Sequence, residues 1–157
     1  MGPEDFARRA LAAGLPLVVR ELAASTRTAR DAAAAVGCCA GAIVKSLVFL
    51  ADDRPVLVLQ RGDRRVDLAL LRERLGARVV RRADPDRVYA ETGYAIGGVP
   101  PLGHLRPLPT LLDACIAGEA ELFAAAGGPR ALFATSGPAL RRACRAEVAC
   151  CCMREEE

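Results

Sequence analysis

Apolar and polar positions alternate along this chain in short runs, and local stop and start signals cut the runs cleanly. Pro3-Glu4-Asp5 opens a first helix, with proline and acids in its first turn, and Gly14 stops it. Residues 16–20, Pro-Leu-Val-Val-Arg, read as a short strand. Thr28, with Asp31 three residues on, caps an alanine-rich helix that Gly37 closes. The run Ile43-Val44-Lys45-Ser46-Leu47-Val48-Phe49-Leu50 is a strand. It passes through Asp52-Asp53-Arg54-Pro55 to a second strand, Val56-Leu57-Val58-Leu59, and strand, polar turn, strand predicts an antiparallel hairpin.

Asp67 caps a helix ending at Gly76, Ala77-Arg78-Val79-Val80 follows as a strand, and Asp84-Pro85 opens a helix that Gly93 ends. Runs near 108–112, 121–126 and 131–134 read as further strands, and Ser136, with Pro138 just inside, begins a last helix. Hairpins mixed with crossovers predict a single α+β, or mixed α/β, domain rather than a doubly wound sheet.

Composition narrows the class. A chain of 157 residues can bury the core of one ordinary domain, and 52% apolar with 26% charged residues suits a globular protein. The net charge of +3 permits a nucleic-acid partner but lacks the basic excess of a dedicated nucleic-acid-binding domain. Glu4, Asp5, Arg8 and Arg9 interrupt any signal peptide, and no apolar run reaches membrane-span length, so a cytoplasmic location is expected.

The seven cysteines (38, 39, 115, 144, 150, 151 and 152) are odd in number and lie partly side by side. That argues against a disulfide framework, and no C-x-x-C spacing suggests zinc. They read as small apolar fillers and tail residues, with a redox or soft-metal cluster at 150–152 as the rival. Residues 153–157 read as a solvated end.

Two features carry candidate chemistry. Of 22 cationic side chains only Lys45 is lysine, and a strand puts it on one face with Ile43, Leu47 and Phe49. An ammonium there is costly to desolvate without a partner. The residues alone allow either a site that needs an ammonium or a snorkelling lysine, and an Ala- and Arg-rich composition weakens any inference from arginine abundance. The second feature is residues 92–104, with four glycines and two prolines in thirteen positions. Such a segment is either a rigid connection or a cradle of fixed backbone N–H groups. Its glycines fit neither the phosphate-binding P-loop nor the dinucleotide fingerprint.

Ile43-Val44-Lys45-Ser46-Leu47-Val48, then Gly62-Asp63-Arg64-Arg65-Val66-Asp67, then Thr92-Gly93-Tyr94-Ala95-Ile96-Gly97-Gly98-Val99-Pro100-Pro101, then Leu108-Pro109-Thr110-Leu111-Leu112-Asp113 together resemble the YbaK/EbsC family. These are free-standing relatives of the prolyl-tRNA synthetase editing domain, and the likeness runs from about residue 4 to about residue 148. It implies a mixed, mostly antiparallel, barrel-like sheet flanked by helices, with the domain over 1–149 and a cysteine-rich tail over 150–157.

The resemblance further implies hydrolysis in trans of the ester of mischarged aminoacyl-tRNA. Lys45 and Gly97 would be the catalytic positions, and Ser46, Gly98, Val99, Pro100, Pro101, His104 and Phe133 would line the substrate. Loop amides would hold the acyl group, and Lys45 the phosphate or ribose of the terminal adenosine. Water would attack without a protein nucleophile, metal or cofactor. The implied partners are the acceptor end of aminoacyl-tRNA and an aminoacyl-tRNA synthetase, with no membrane or DNA.

Phe133 takes a position that is acidic in part of the family, which favours an apolar wall against a small amino acid over cysteinyl specificity. As residues, Ser46 points to the opposite strand face from Lys45, and His104 suits an exposed turn. Arg64, Arg65, Arg72, Arg74, Arg78, Arg81, Arg82 and Arg87 form either a tRNA contact or a solvated face. A non-catalytic tRNA- or protein-binding module of the same fold is the alternative function.

Overall fold

The computed structural model describes residues 1–15, 17–23, 25–26 and 28–154. The predicted hairpin is its centre. Strands β2 (Ile43–Ala51) and β3 (Arg54–Arg61) pair antiparallel over their whole length, with Ala51 opposite Arg54. The two residues between them, Asp52 and Asp53, both have positive φ (47° and 66°), as the twist-matched two-residue hairpin turn requires. The Asp52 carboxylate also accepts the N–H groups of Arg78 and Val79 at 2.9–3.1 Å, fixing the next segment to the turn.

Before the hairpin come α1 (Pro3–Ala12), β1 (Val19–Glu21), α2 (Ala29–Val36) and a short 3₁₀ turn at Ala40–Ala42. After it come β4 (Arg64–Val66), α3 (Leu68–Leu75), β5 (Val80–Arg82), α4 (Pro85–Thr92), β6 (Thr110–Asp113), β7 (Leu122–Ala125), β8 (Ala131–Thr135), α5 (Gly137–Ala143), β9 (Glu147–Ala149) and β10 (Cys152–Arg154). The main sheet runs β1-β8-β7-β2-β3-β6-β9, with β5 also pairing β2, and β10 pairs β4 separately. Pairings β2·β7, β3·β6 and β6·β9 are parallel and the other five antiparallel. This is the expected mixed, mostly antiparallel single domain. The path nevertheless ends in β1 and β9, so the sheet does not close into a barrel.

The local signals worked as the sequence predicts. Thr28, Asp67, Asp84 and Ser136 each accept a first-turn backbone N–H, and Gly37, Gly76 and Gly93 end their helices in the left-handed conformation. Short strands were harder to place. The strand expected at 16–20 is Val19–Glu21, that at 77–80 is Val80–Arg82, and β4, β9 and β10 were not anticipated. The tail is also not simply solvated: β10 lies along β4, and Cys151 is fully buried. Residues 155–157 lie outside the described residues. Among the described residues no helix is long and apolar enough to cross a membrane.

The hairpin is covered on both faces. Val44, Val48, Leu50, Leu57 and Leu59 join Phe6 of α1 and Phe133 of β8 in the main core, where the two rings lie 5.1 Å apart. Phe49 and Val58 face the other way, onto Leu71 of α3, Leu111, Ala149 and Cys151. Phe6 ties α1 to the sheet with no exposed surface. Phe6→Ala is therefore expected to cost about 3–5 kcal/mol in urea unfolding. A loss under about 1 kcal/mol would contradict this packing.

Candidate active site in the gap of the sheet

One edge of β2 is fully taken by β3. The other is shared: β7 holds Ile43 and Val44, and β5 holds Phe49 to Ala51. Residues 45–47 have no strand beside them on that edge, and a cleft of about 820 Å³ opens there. Lys45, Ser46, Gln60, Gly97, Val99 and Leu132 all line it.

Lys45 Nζ donates to the Arg64 carbonyl at 3.1 Å. Directly across the β2–β3 pair stands Gln60, the chain's one glutamine, with no exposed surface. Its Nε2 donates to that same Arg64 carbonyl. That contact fixes the orientation of the amide, since a flip would set two oxygens face to face. Gln60 Oε1 and Ser46 Oγ are both buried without a hydrogen-bond partner. Orphaned buried groups cost about 1–3 kcal/mol each, and native folds keep few of them. Gln60 was missed in the sequence. Its signal was a lone polar residue ending the apolar run 56–59, on the strand paired with Lys45.

The glycine-proline segment is a closed loop. Leu105 N–H reaches Thr92 O at 3.0 Å, so its ends meet. Thr92 Oγ1 accepts the Tyr94 N–H, Tyr94 Oη donates to Gly103 O, and His104 Nε2–H donates to Pro100 O at 2.8 Å. Within it, Gly97 (φ 94°) and Val99 face the cleft, and Gly98, Pro100 and Pro101 do not. The Gly98 N–H is spent on Ala95 O, so it offers no amide to a ligand. A Cβ there would meet the Gly128 backbone at 2.8–2.9 Å, so glycine is needed for loop-to-loop packing.

His104 is not the exposed turn residue expected from the sequence. It is half-buried, braces the loop, and does not line the cleft. Phe133 likewise does not line the cleft: β8 turns it into the core and presents its neighbour Leu132 to the cleft. Strand alternation, invisible without the register, makes the difference. Ser46 does line the cleft.

The charges are concentrated. Among the described residues, Arg30, Lys45, Arg64, Arg65 and Arg82 line the cleft together with one carboxylate, Asp63, which pairs with Arg61 at 2.7 Å. The arginine set read from the sequence therefore divides. Arg64, Arg65 and Arg82 line the cleft, while Arg74 pairs with Glu147, Arg81 with Asp53, and Arg87 with both Asp53 and Glu91. Among the described residues no three His, Cys, Asp or Glu side chains gather to hold a metal ion. Burial pushes the Cys144 thiol up to about 12, and Cys151 fills the second core.

Burial holds the His104 ring below its ordinary 6.5; the Pro100 carbonyl pulls the other way, and nearby Arg9 adds to the lowering. The native ring is then neutral where the unfolded one is protonated, so stability rises with pH across that window. Unfolding free energy is expected to fall by up to about 1.4 kcal/mol per pH unit as pH drops below about 6.5. His104→Gln should flatten that slope, and an unchanged slope in the variant would contradict the assignment.

Comparison with known proteins adds the family. Residues 23–143 match the family model described as the aminoacyl-tRNA editing domain. Proline–tRNA ligase of Nitratidesulfovibrio vulgaris (strain DP4) is 40% identical over 76 residues, 48% of this chain but 13% of that ligase. The uncharacterized protein YwhH of Bacillus subtilis (strain 168) is 32% identical over 110 residues, 69% of each chain. A solved structure described as a candidate trans-editing enzyme for prolyl tRNA synthetase superposes with a TM-score of 0.90 at 42% identity. That match covers 98% of this chain and 97% of the other.

Proposed function

Because this chain belongs to the aminoacyl-tRNA editing domain family, we propose that it is a trans-editing deacylase that hydrolyses the ester of mischarged aminoacyl-tRNA. The observation that carries the reading is the convergence of Lys45 with Gly97 and Val99, some fifty residues apart in sequence, on one cationic cleft. A terminal adenosine brings phosphate charge, and the cationic side chains that line the cleft among the described residues favour it.

In this reading the Lys45 ammonium holds the phosphate or ribose of that adenosine, which offsets the cost of keeping a cation among Ile43, Leu47 and Phe49. The Gly97 backbone, free of any side chain, lets the acyl group come close. Ile43, Val99 and Leu132 form an apolar wall suited to a small amino acid. Water adds to the ester carbonyl, the ribose oxygen leaves with a proton, and the amino acid is released. Rate enhancement comes from positioning and from fixed dipoles rather than from a protein nucleophile.

Residues 1–149 form the editing body, and the cysteine-rich segment from 150 adds a strand along β4. The acceptor end of tRNA is the partner, with a synthetase supplying the mischarged substrate, in the cytoplasm.

The test is deacylation of a panel of mischarged tRNAs. Wild type should hydrolyse at least one. Lys45→Ala should lose about a hundredfold or more in kcat/KM, matching the loss of a charged contact and of orientation. Lys45→Arg should lose at least about tenfold with little change in Tm, because a planar fork does not replace a compact ammonium. Full activity in Lys45→Arg would contradict the need for an ammonium. Retained tRNA binding with no hydrolysis of any member would assign a binding module instead.

A further inference from the structure

Strand geometry fixes where the peptide groups of Ser46 point. In an antiparallel pair, opposite residues alternate between exchanging hydrogen bonds and facing away from each other. Leu57, opposite Val48, sends its N–H to Pro109 O at 2.9 Å, and Val48 O accepts from Ala83 N–H at 3.0 Å. Arg61, opposite Val44, sends its N–H to the Asp113 carboxylate at 3.2 Å. Gly62 N–H, by contrast, bonds Ile43 O at 2.7 Å. Odd-numbered residues of β2 therefore bond toward β3, and even-numbered residues face the other edge. Ser46, midway between Val44 and Val48, directs both its N–H and its C=O into the gap between β7 and β5.

The β7 register ends at Val44 and the β5 register begins at Phe49, so neither strand pairs with Ser46, and its Oγ is buried and unpartnered. Backbone polar groups without a strand beside them need another partner, because an unmade hydrogen bond costs free energy. The three polar groups of one residue are thus left open at the wall of the cleft.

An aminoacyl group is a single amino-acid residue with its amine free. Its α-ammonium and its carbonyl flank one carbon, as N–H and C=O do in a strand. We propose, resting on the editing reading above, that the aminoacyl moiety fills the missing place beside Ser46 as a one-residue β-bridge. The α-ammonium donates to Ser46 C=O, and the ester carbonyl accepts from Ser46 N–H. Asp63, the one carboxylate among the described residues of the cleft, is held by Arg61, so the carbonyl dipole supplies the local acceptor. The substrate class is then aminoacyl esters with a free α-ammonium, and N-acylated or peptidyl esters are excluded. Backbone recognition of this kind reads the shared part of every amino acid. Choice among amino acids is left to the apolar wall.

The probe is an aminoacyl adenosine whose 3′ ester is replaced by an amide, with ¹⁵N-labelled full chain. At saturation the Ser46 amide proton should move downfield and exchange at least about tenfold more slowly, as for a newly protected amide. The α-N-acetyl form of the probe should bind at least about tenfold more weakly, the worth of a hydrogen bond to a charged group. An unmoved Ser46 amide, equal binding of the acetylated form, or no binding of the probe would each overturn the proposal. If mischarged tRNA is hydrolysed while the Ser46 amide stays unmoved, the bridge fails and the editing reading stands. If the probe binds at Ser46 and no ester is hydrolysed, the bridge stands and catalysis does not.

Discussion

The cleft proposed as the active site follows from one strand having two different neighbours on a single edge. β2 is held by β7 at one end and β5 at the other. Those two strands approach from opposite ends of β2 and leave residues 45–47 uncovered between them. A strand so exposed at its centre would normally be a weak point. Here β3 secures its other edge for the full length, and apolar cores secure both faces. The opening is therefore rigid, and a rigid opening can hold polar groups in place without a ligand.

That rigidity is what makes the polar groups useful. Lys45 and Gln60, the chain's only lysine and only glutamine, converge on the Arg64 carbonyl from adjacent strands. Arg64 in turn sits on β4, which β10 holds in a small sheet of its own. Across the opening, the loop over 93–105 is fastened by Thr92, Tyr94 and His104. Donors and acceptors fixed before substrate arrives need no reorganisation during reaction, which is the condition for strong electrostatic stabilisation.

Much of the scaffold was legible in the sequence because helix ends are decided locally. A capping side chain at Thr28, Asp67, Asp84 or Ser136 and a left-handed glycine at Gly37, Gly76 or Gly93 act on their own few residues. The hairpin was legible for the same reason. Three-residue strands such as β4, β9 and β10 carry too few positions for a period to show, and their existence depends on partners distant in sequence. Side-chain direction was lost the same way: Leu132 and Phe133 are both apolar, and only the pairing of β8 says which faces the cleft. Gly98 illustrates a further limit. It was read as a ligand contact, yet its missing side chain makes room for Gly128. Gln60 went unnoticed because its meaning lies in the register that sets it opposite Lys45.

The central claim is that the gap beside residues 45–47 is where an aminoacyl ester is held. The most direct measurement is a crystal structure of the full chain with the amide-linked aminoacyl adenosine bound. The account predicts the acyl group in the gap between β7 and β5, with Ser46 and Gly97 against it and the adenosine end beside Lys45. An analogue bound elsewhere, with the gap unoccupied, would contradict it.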